Sequence, residues 1–385
     1  MIPPLREVEK PGQIFNGPKQ YKNMLERVID PEKINVQADC IEMSELYAGE
    51  RVKEGRIVKG FELVEVGRGD GIEIVGDRRD IMGIHVLVSG VTDDSAQAIE
   101  SIFSEVINRM RGVEYRFRKE NVRIIVSEEV EEKFSAECVG RIIYDAVKSI
   151  PAVKSVKVRM ICDENEFMKI IEKSRRVHEN REKKSESLKD SDVGRFYGCV
   201  SCQVYLPHHV CTITPDRPSP CGTIYSEAKA AEELKLVHYY FPVDRGRTID
   251  EHKGEYEGVN RAVEEMSEGA ITKVKLHSAL DSPPPTGNYA EAIVFYIPEE
   301  DGFGIVDRGY RKKTPTGLTF DSMEKIIVGQ QVEGFVGVSF AYMRSRSFLK
   351  GDGGWNRVKW VSPNVYDFIM EFLPYELLKS IKTMG

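Results

Sequence analysis

Residues 198–222, "GCVSCQVYLPHHVCTITPDRPSPCG", gather Cys199, Cys202, Cys211 and Cys221 in a C-x2-C-x8-C-x9-C spacing. A C-x-x-C turn lets two thiolates reach one metal or two adjacent irons, and two further thiolates from the following loop complete four-sulfur ligation. The segment must therefore close on itself. Pro207, Pro215, Pro218 and Pro220 keep it out of helix, which suits a preformed ligand cage. Zinc and a cubane iron-sulfur cluster both satisfy the count. One knuckle plus two isolated cysteines suits the four corners of a cluster better, since structural zinc sites more often pair two knuckles. Unligated thiols are the third reading.

Disulfides fit poorly. The chain has seven cysteines, an odd number, and Cys40, Cys138 and Cys162 are scattered. Cys138 and Cys162 fall among apolar residues and read as core. The start "MIPPLREVEK" has no basic stretch followed by an apolar one, so a cytoplasmic protein is expected. No apolar run approaches the roughly 18 residues of a membrane span. A net charge of -7, from 55 basic and 62 acidic residues, argues against a nucleic-acid partner.

At 385 residues the chain predicts two domains. Both are expected to be mixed α/β. Residues 1–45, proline-containing and aperiodic, read as an N-terminal extension; 46–185 as an α/β domain; and 186–385 as a second domain carrying the cysteine loop. In the first, Ile84–Val88 reads as a strand, and Asp93–Ser95 supplies caps for a helix with Ile99, Ile102, Phe103, Val106 and Met110 on one face. Val122–Val126 and Val153–Ile161 read as strands around a helix burying Val139, Ile142, Ile143 and Val147. A last helix carries Phe167, Ile170, Ile171 and Val177, then dissolves into the mixed-charge run "RRVHENREKKSESLKDSD", expected to be a solvated helix end and linker with His178 exposed.

In the second domain, helices are expected at Tyr225–Leu234 and Val259–Met266, and a strand at Lys273–His277. Ala292–Ile297 and Gly304–Val306 flank "PEEDGF" as a hairpin, and a terminal helix carries Val365, Phe368 and Phe372. "GRGDG" at 67–71 opens no helix and reads as a turn rather than a phosphate loop, as does "KGDGGW" at 350–355. Arg195 and Arg217 are candidates to offset the charge of a thiolate-bound cluster. His208 and His209 lie inside the array and are expected to support it or face solvent rather than ligate.

The motifs "DVGRFYGCVSCQ", "VCTITPDRPSPCG", "KVKLHSALDSPPP", "EAIVFYIPEEDGFGIVDRGY", "TPTGLTFDSM" and "GDGGWNRVKWV" follow one another as in a known family. The chain resembles the acetyl-CoA synthase β-subunit of the anaerobic CO dehydrogenase/acetyl-CoA synthase complex, in its short archaeal form. The resemblance is strong over 190–385, weaker but collinear over 46–189, and absent over the first 45 residues. It implies that Cys199, Cys202, Cys211 and Cys221 hold the 4Fe-4S part of an A-cluster, with Cys202 at the position that bridges to a proximal nickel.

The family then uses a Cys-Gly-Cys tripeptide to hold the distal nickel, and this chain reads Gly287-Asn288-Tyr289 there. Glycine offers no side chain, and tyrosine, with a pKa of about 10, is a poor ligand for a thiolate-loving metal. The resemblance thus implies a retained 4Fe-4S cluster and no nickel. Three functions follow as expectations. The first is a cluster protein serving electron transfer, structure or altered acyl or methyl chemistry; the second is a CO-methylating acetyl-CoA synthase with an unconventional metal site, drawing on His277, Asp281 or a partner's residues; the third is an assembly protein pinned by zinc or a cluster. Implied partners are a corrinoid iron-sulfur protein, CO dehydrogenase subunits or ferredoxin, with coenzyme A as a ligand.

Overall fold

The computed structural model describes residues 41–43, 52, 54–118, 121–235 and 239–383. The expected extension over 1–45 lies outside them apart from 41–43. The described residues form two compact units, one drawn from residues up to 187 with 229–235, the other from 188–228 with 239–383. Each is mixed α/β.

In the first unit, β1 (Arg56–Val66), β2 (Gly71–Gly76), β3 (Ile81–Ser89), β4 (Val113–Arg118), β5 (Asn121–Val126) and β6 (Ser155–Cys162) form one sheet in the order β2-β6-β3-β1-β5-β4. β1 pairs with β3, and β2 with β6, in parallel; the other pairs are antiparallel. Strand side chains alternate between faces. Val58 and Val64 join Val86, Val156 and Val158 against the helices Asp93–Ile107 and Ala136–Lys148, in a core that also takes Cys138 and Cys162. Phe61, Leu63 and Ile161 point the other way, onto Phe167, Ile170 and Ile171 of the helix Glu164–Ser187. Gly83 matters to that second layer: a Cβ there would lie 2.2 Å from Phe61 Cε1, so only glycine admits the Phe61 ring, which packs 5.0 Å from Phe167.

The charged run departs from expectation. The helix continues through it to Ser187, and His178 is not exposed, its Nε2 lying 3.0 Å from Glu100. Arg181 is buried, bonded to Asp93 at 2.9 Å, Glu100 at 2.9 Å and the Val64 carbonyl at 2.7 Å. This face of the helix is held by ion pairs, which apolar periodicity does not register. Asp93 and Asp94, expected as caps, form the first turn of their helix instead, and Asp94 receives Lys229 at 2.6 Å.

The second unit contains β7 (Arg195–Cys199), β8 (Cys211–Ile213) and β9 (Tyr240–Asp244) in the order β8-β7-β9, and a short ladder of β10 (Thr248–Asp250) with β11 (Glu255–Tyr256). β12 (Ala292–Ile297), β13 (Gly302–Asp307), β14 (Phe335–Val338), β15 (Val358–Val361) and β16 (Lys382–Thr383) form a sheet ordered β14-β12-β13-β15-β16. The hairpin around "PEEDGF" is present, with Ile297 opposite Gly302. The terminal helix is Pro363–Ile369, so Phe372 lies beyond its end while packing on the same cluster.

Lys273–His277 is not a strand. Val274, Lys275, Leu276 and His277 are all buried, and their N–H groups donate to Asn260, Ser282, Gly254 and Lys253 instead of a ladder. The apparent alternation comes from Lys275, whose ammonium is buried against Asp281. No helix among the described residues is long and apolar enough to cross a membrane.

Candidate metal centre

The β7–β8 pairing sets Cys199 directly opposite Cys211. Between them the chain makes a short 3-10 turn, Ser201–Val204, that carries Cys202, and His208 takes a left-handed conformation to bring the chain back. Cys221 sits in a tight turn closed by Gly222 N–H to the Ser219 carbonyl at 3.0 Å, with Gly222 left-handed. The loop that the proline content predicts is thus built by one hairpin and two turns.

Each of the four sulfurs meets a group that can donate to it. Cys199 Sγ receives the Ser201 backbone N–H and Cys202 Sγ the Asn288 backbone N–H. His209 Nε2 lies 3.1 Å from Cys211 Sγ, and the Ser219 hydroxyl 3.1 Å from Cys221 Sγ. Such donors stabilise thiolates. Burial opposes them: it pushes the Cys202 thiol up to about 12, with the charge of Cys221 adding to the rise. Burial likewise raises Cys199 and Cys211, and there too the other cysteines of the array add to the shift. Desolvated thiols such as Cys199, Cys202 and Cys211 cost most as bare thiolates and least when a cation deprotonates and binds them.

Arg217 supplies a fixed positive charge. It is only 2% exposed, lies 4.3 Å from the Tyr342 ring centroid, and favours the ionised form of Cys211. Among the described residues no carboxylate pairs with it. Arg195 differs, standing exposed at the start of β7.

Gly287, Asn288 and Tyr289 lie against the array at Cys202. A Cβ on Gly287 would stand 3.2 Å from Cys202 Sγ and 3.1 Å from His209 Nε2. The Asn288 carbonyl accepts from Arg308 at 2.8 Å, which fixes the turn whose N–H reaches Cys202. Thr286 anchors its start, accepting Gly329 N–H at its carbonyl and Gly337 N–H at its hydroxyl. Burial, then Cys202 and Tyr205, raise the Tyr289 phenol, so it stays neutral beside the sulfurs.

The two histidines part company. His208 faces solvent, 3.9 Å from Glu268, whereas His209 is fully buried and burial holds it down to about 4. His277 and Asp281 are engaged elsewhere: His277 Nε2 lies 3.4 Å from Asp190, and Asp281 holds Lys253 and Lys275. Among the described residues no three His, Cys, Asp or Glu side chains are arranged to hold a single metal ion. A cubane makes no such demand, since each thiolate binds a different iron.

The sequence reading missed the donors at Ser219 and Asn288; of the two histidines it expected to support the array or face solvent, His209 stands against Cys211 and His208 faces solvent. Only the flanking "SPCG" hints at a hydroxyl near Cys221; the Asn288 contact joins positions too far apart in the chain for spacing to reveal.

A family model for the C-terminal part of the ACS/CODH beta subunit matches residues 178–382, which contain the whole array and the Gly287–Tyr289 turn. The acetyl-CoA decarbonylase/synthase complex subunit beta 2 of Methanocaldococcus jannaschii is 38% identical over 340 residues, covering 84% of this chain and 72% of that one. The subunit beta of Methanopyrus kandleri is 37% identical over 371 residues, covering 89% and 79%. The corresponding subunit of Methanothermobacter thermautotrophicus is 34% identical over 368 residues, covering 89% and 80%. With matches of this depth running along both units, the chain belongs to the ACS/CODH beta subunit family.

Proposed function

We propose that this chain is an acetyl-CoA synthase-like subunit that holds a 4Fe-4S cluster on Cys199, Cys202, Cys211 and Cys221, lacks the dinickel centre, and passes single electrons. The observation that carries this reading is the surroundings of Cys202. Its sulfur faces a backbone N–H from Asn288 and the bare Cα of Gly287, so among the described residues the tripeptide beside it brings no thiol to share a second metal.

The residues present fit a cluster. All four sulfurs have donors, and the buried Arg217 cation would offset part of the negative charge of four thiolates. A bound cluster would supply one-electron chemistry, taking an electron from a low-potential carrier protein of the ferredoxin class and giving it to a partner. The chain's part is to hold the sulfurs, shield Cys199 and Cys211 from most of the solvent, and keep Tyr289 neutral beside Cys202. Because the relatives are named as subunits of an acetyl-CoA decarbonylase/synthase complex, the partners proposed are the other subunits of such an assembly, including a corrinoid iron-sulfur protein and CO dehydrogenase. Coenzyme A is the proposed small-molecule ligand.

Electron paramagnetic resonance of anaerobically prepared, reduced protein tests the cluster. A signal of a reduced 4Fe-4S cluster is expected, abolished by Cys211→Ser. Bound zinc with no such signal would replace electron transfer by an assembly role.

A further inference from the structure

His209 is buried beside the array, yet four cysteines already complete four-sulfur ligation, so its ring is free for another task. Its Nε2 lies 3.1 Å from Cys211 Sγ, and its Nδ1 has no hydrogen-bond partner among the described residues. That asymmetry fixes the tautomer. With the proton on Nε2, the ring donates to sulfur and buries a bare lone pair at Nδ1. The other tautomer would bury an unpaired N–H and point the Nε2 lone pair at the sulfur's own electrons, which costs more.

Gly287 leaves room for the ring there. A Cβ at 287 would stand 3.1 Å from Nε2 and 3.6 Å from Cε1, and also 3.2 Å from Cys202 Sγ. The residue that fails to supply a metal-binding thiol is therefore the residue that admits the imidazole edge to the sulfurs.

Resting on the cluster reading above, we infer that His209 is a positioning residue that raises the reduction potential of the cluster by donating its Nε2–H to the Cys211 thiolate. Reduction adds one electron, supplied by the one-electron carrier, and part of the added negative charge falls on the cysteine sulfurs. An N–H donor at a sulfur stabilises that charge more in the reduced state than in the oxidised one, so the potential rises. No proton is transferred; the imidazole keeps its Nε2–H in both states.

The test uses the full chain, prepared anaerobically as wild type, His209→Phe and His209→Gln, with iron and acid-labile sulfide measured before any titration. In EPR-monitored redox titrations the midpoint of His209→Phe is expected to shift to more negative values, and His209→Gln, which keeps an N–H donor, to recover part of the shift. An aromatic filler at wild-type potential would overturn the inference. Should His209→Phe not assemble a cluster, pulsed EPR of the reduced wild-type protein labelled with 15N-histidine decides. Coupling to one histidine nitrogen bearing an exchangeable proton supports the inference, and its absence overturns it. Wild-type protein without iron and sulfide would instead overturn the cluster reading itself, a result distinct from a cluster whose potential ignores position 209.

Discussion

Asp190 and Asp216 hold each other reciprocally: the Asp190 N–H donates to Asp216 Oδ2 at 3.1 Å, and the Asp216 N–H donates to Asp190 Oδ1 at 2.9 Å. Asp216 lies between Cys211 and Cys221, so the pair ties the cysteine loop to the start of its own unit. Tyr256 and His277 reach Asp190 at 3.2 and 3.4 Å, and the Thr214 side chain bonds it too. Burial pushes the Asp190 carboxyl up, but the bonds from His277 and the Asp216 N–H outweigh it and keep the group ionised.

Asp190→Ala leaves the Asp216 N–H and the Tyr256 hydroxyl buried without acceptors. The expected loss of stability is about 3 kcal/mol, read from the urea midpoint, and Asp190→Asn, which keeps one acceptor, loses about half as much. Iron content falls in the same order, because the clasp positions two of the four ligands.

Gly287→Ala brings a methyl group within 3.2 Å of Cys202 Sγ and 3.1 Å of His209 Nε2. Relief requires the His209 ring or the loop to give way by a few tenths of an ångström. A destabilisation of about 1–2 kcal/mol is expected, as for a modest overpacking, together with slower cluster assembly on reconstitution with iron and sulfide.

Arg217 acts on the sulfurs through charge and on Tyr342 through stacking. Arg217→Lys keeps the charge and loses the planar stack, whereas Arg217→Met loses both. Retention of iron against a chelator is expected to drop about tenfold in Arg217→Met, and less in Arg217→Lys. Equal losses would mean that packing on Tyr342, not charge, is what the array requires.

In the first unit, Glu65 bonds to His85 at 2.9 Å and Lys173 at 2.7 Å, and these contacts outweigh burial to hold its carboxyl down to about 2. A depressed carboxyl adds stability that is fully present above its unfolded value of about 4.3 and fades as the pH falls towards the folded one. The side chain keeps 20% of its surface exposed and is partly screened, so the contribution is about 1 kcal/mol. Glu65→Gln is expected to be less stable than wild type by that amount at pH 6 and indistinguishable near pH 2, as followed by amide exchange in β1 and β3.

The apolar elements were legible in the sequence wherever packing repeats. The helix faces Ile99–Val106 and Val139–Val147 follow from spacing alone, and so does the hairpin around "PEEDGF". Elements held by polar contacts were not. Arg181, His178 and Lys275 look solvated in sequence, because a buried cation is betrayed only by its partner, which lies far along the chain. The cysteine array was legible in its ligands and illegible in its donors for the same reason. Asn288 reaches Cys202 only because Thr286 and Arg308 fix its turn, and spacing carries none of that.

Metal stoichiometry of the anaerobically purified chain tests the central claim most directly. About four iron and four acid-labile sulfide per chain are expected, with nickel absent even after incubation with the metal, because Gly287-Asn288-Tyr289 brings no further thiol to Cys202. Stoichiometric nickel together with exchange between CO and acetyl-CoA would contradict it.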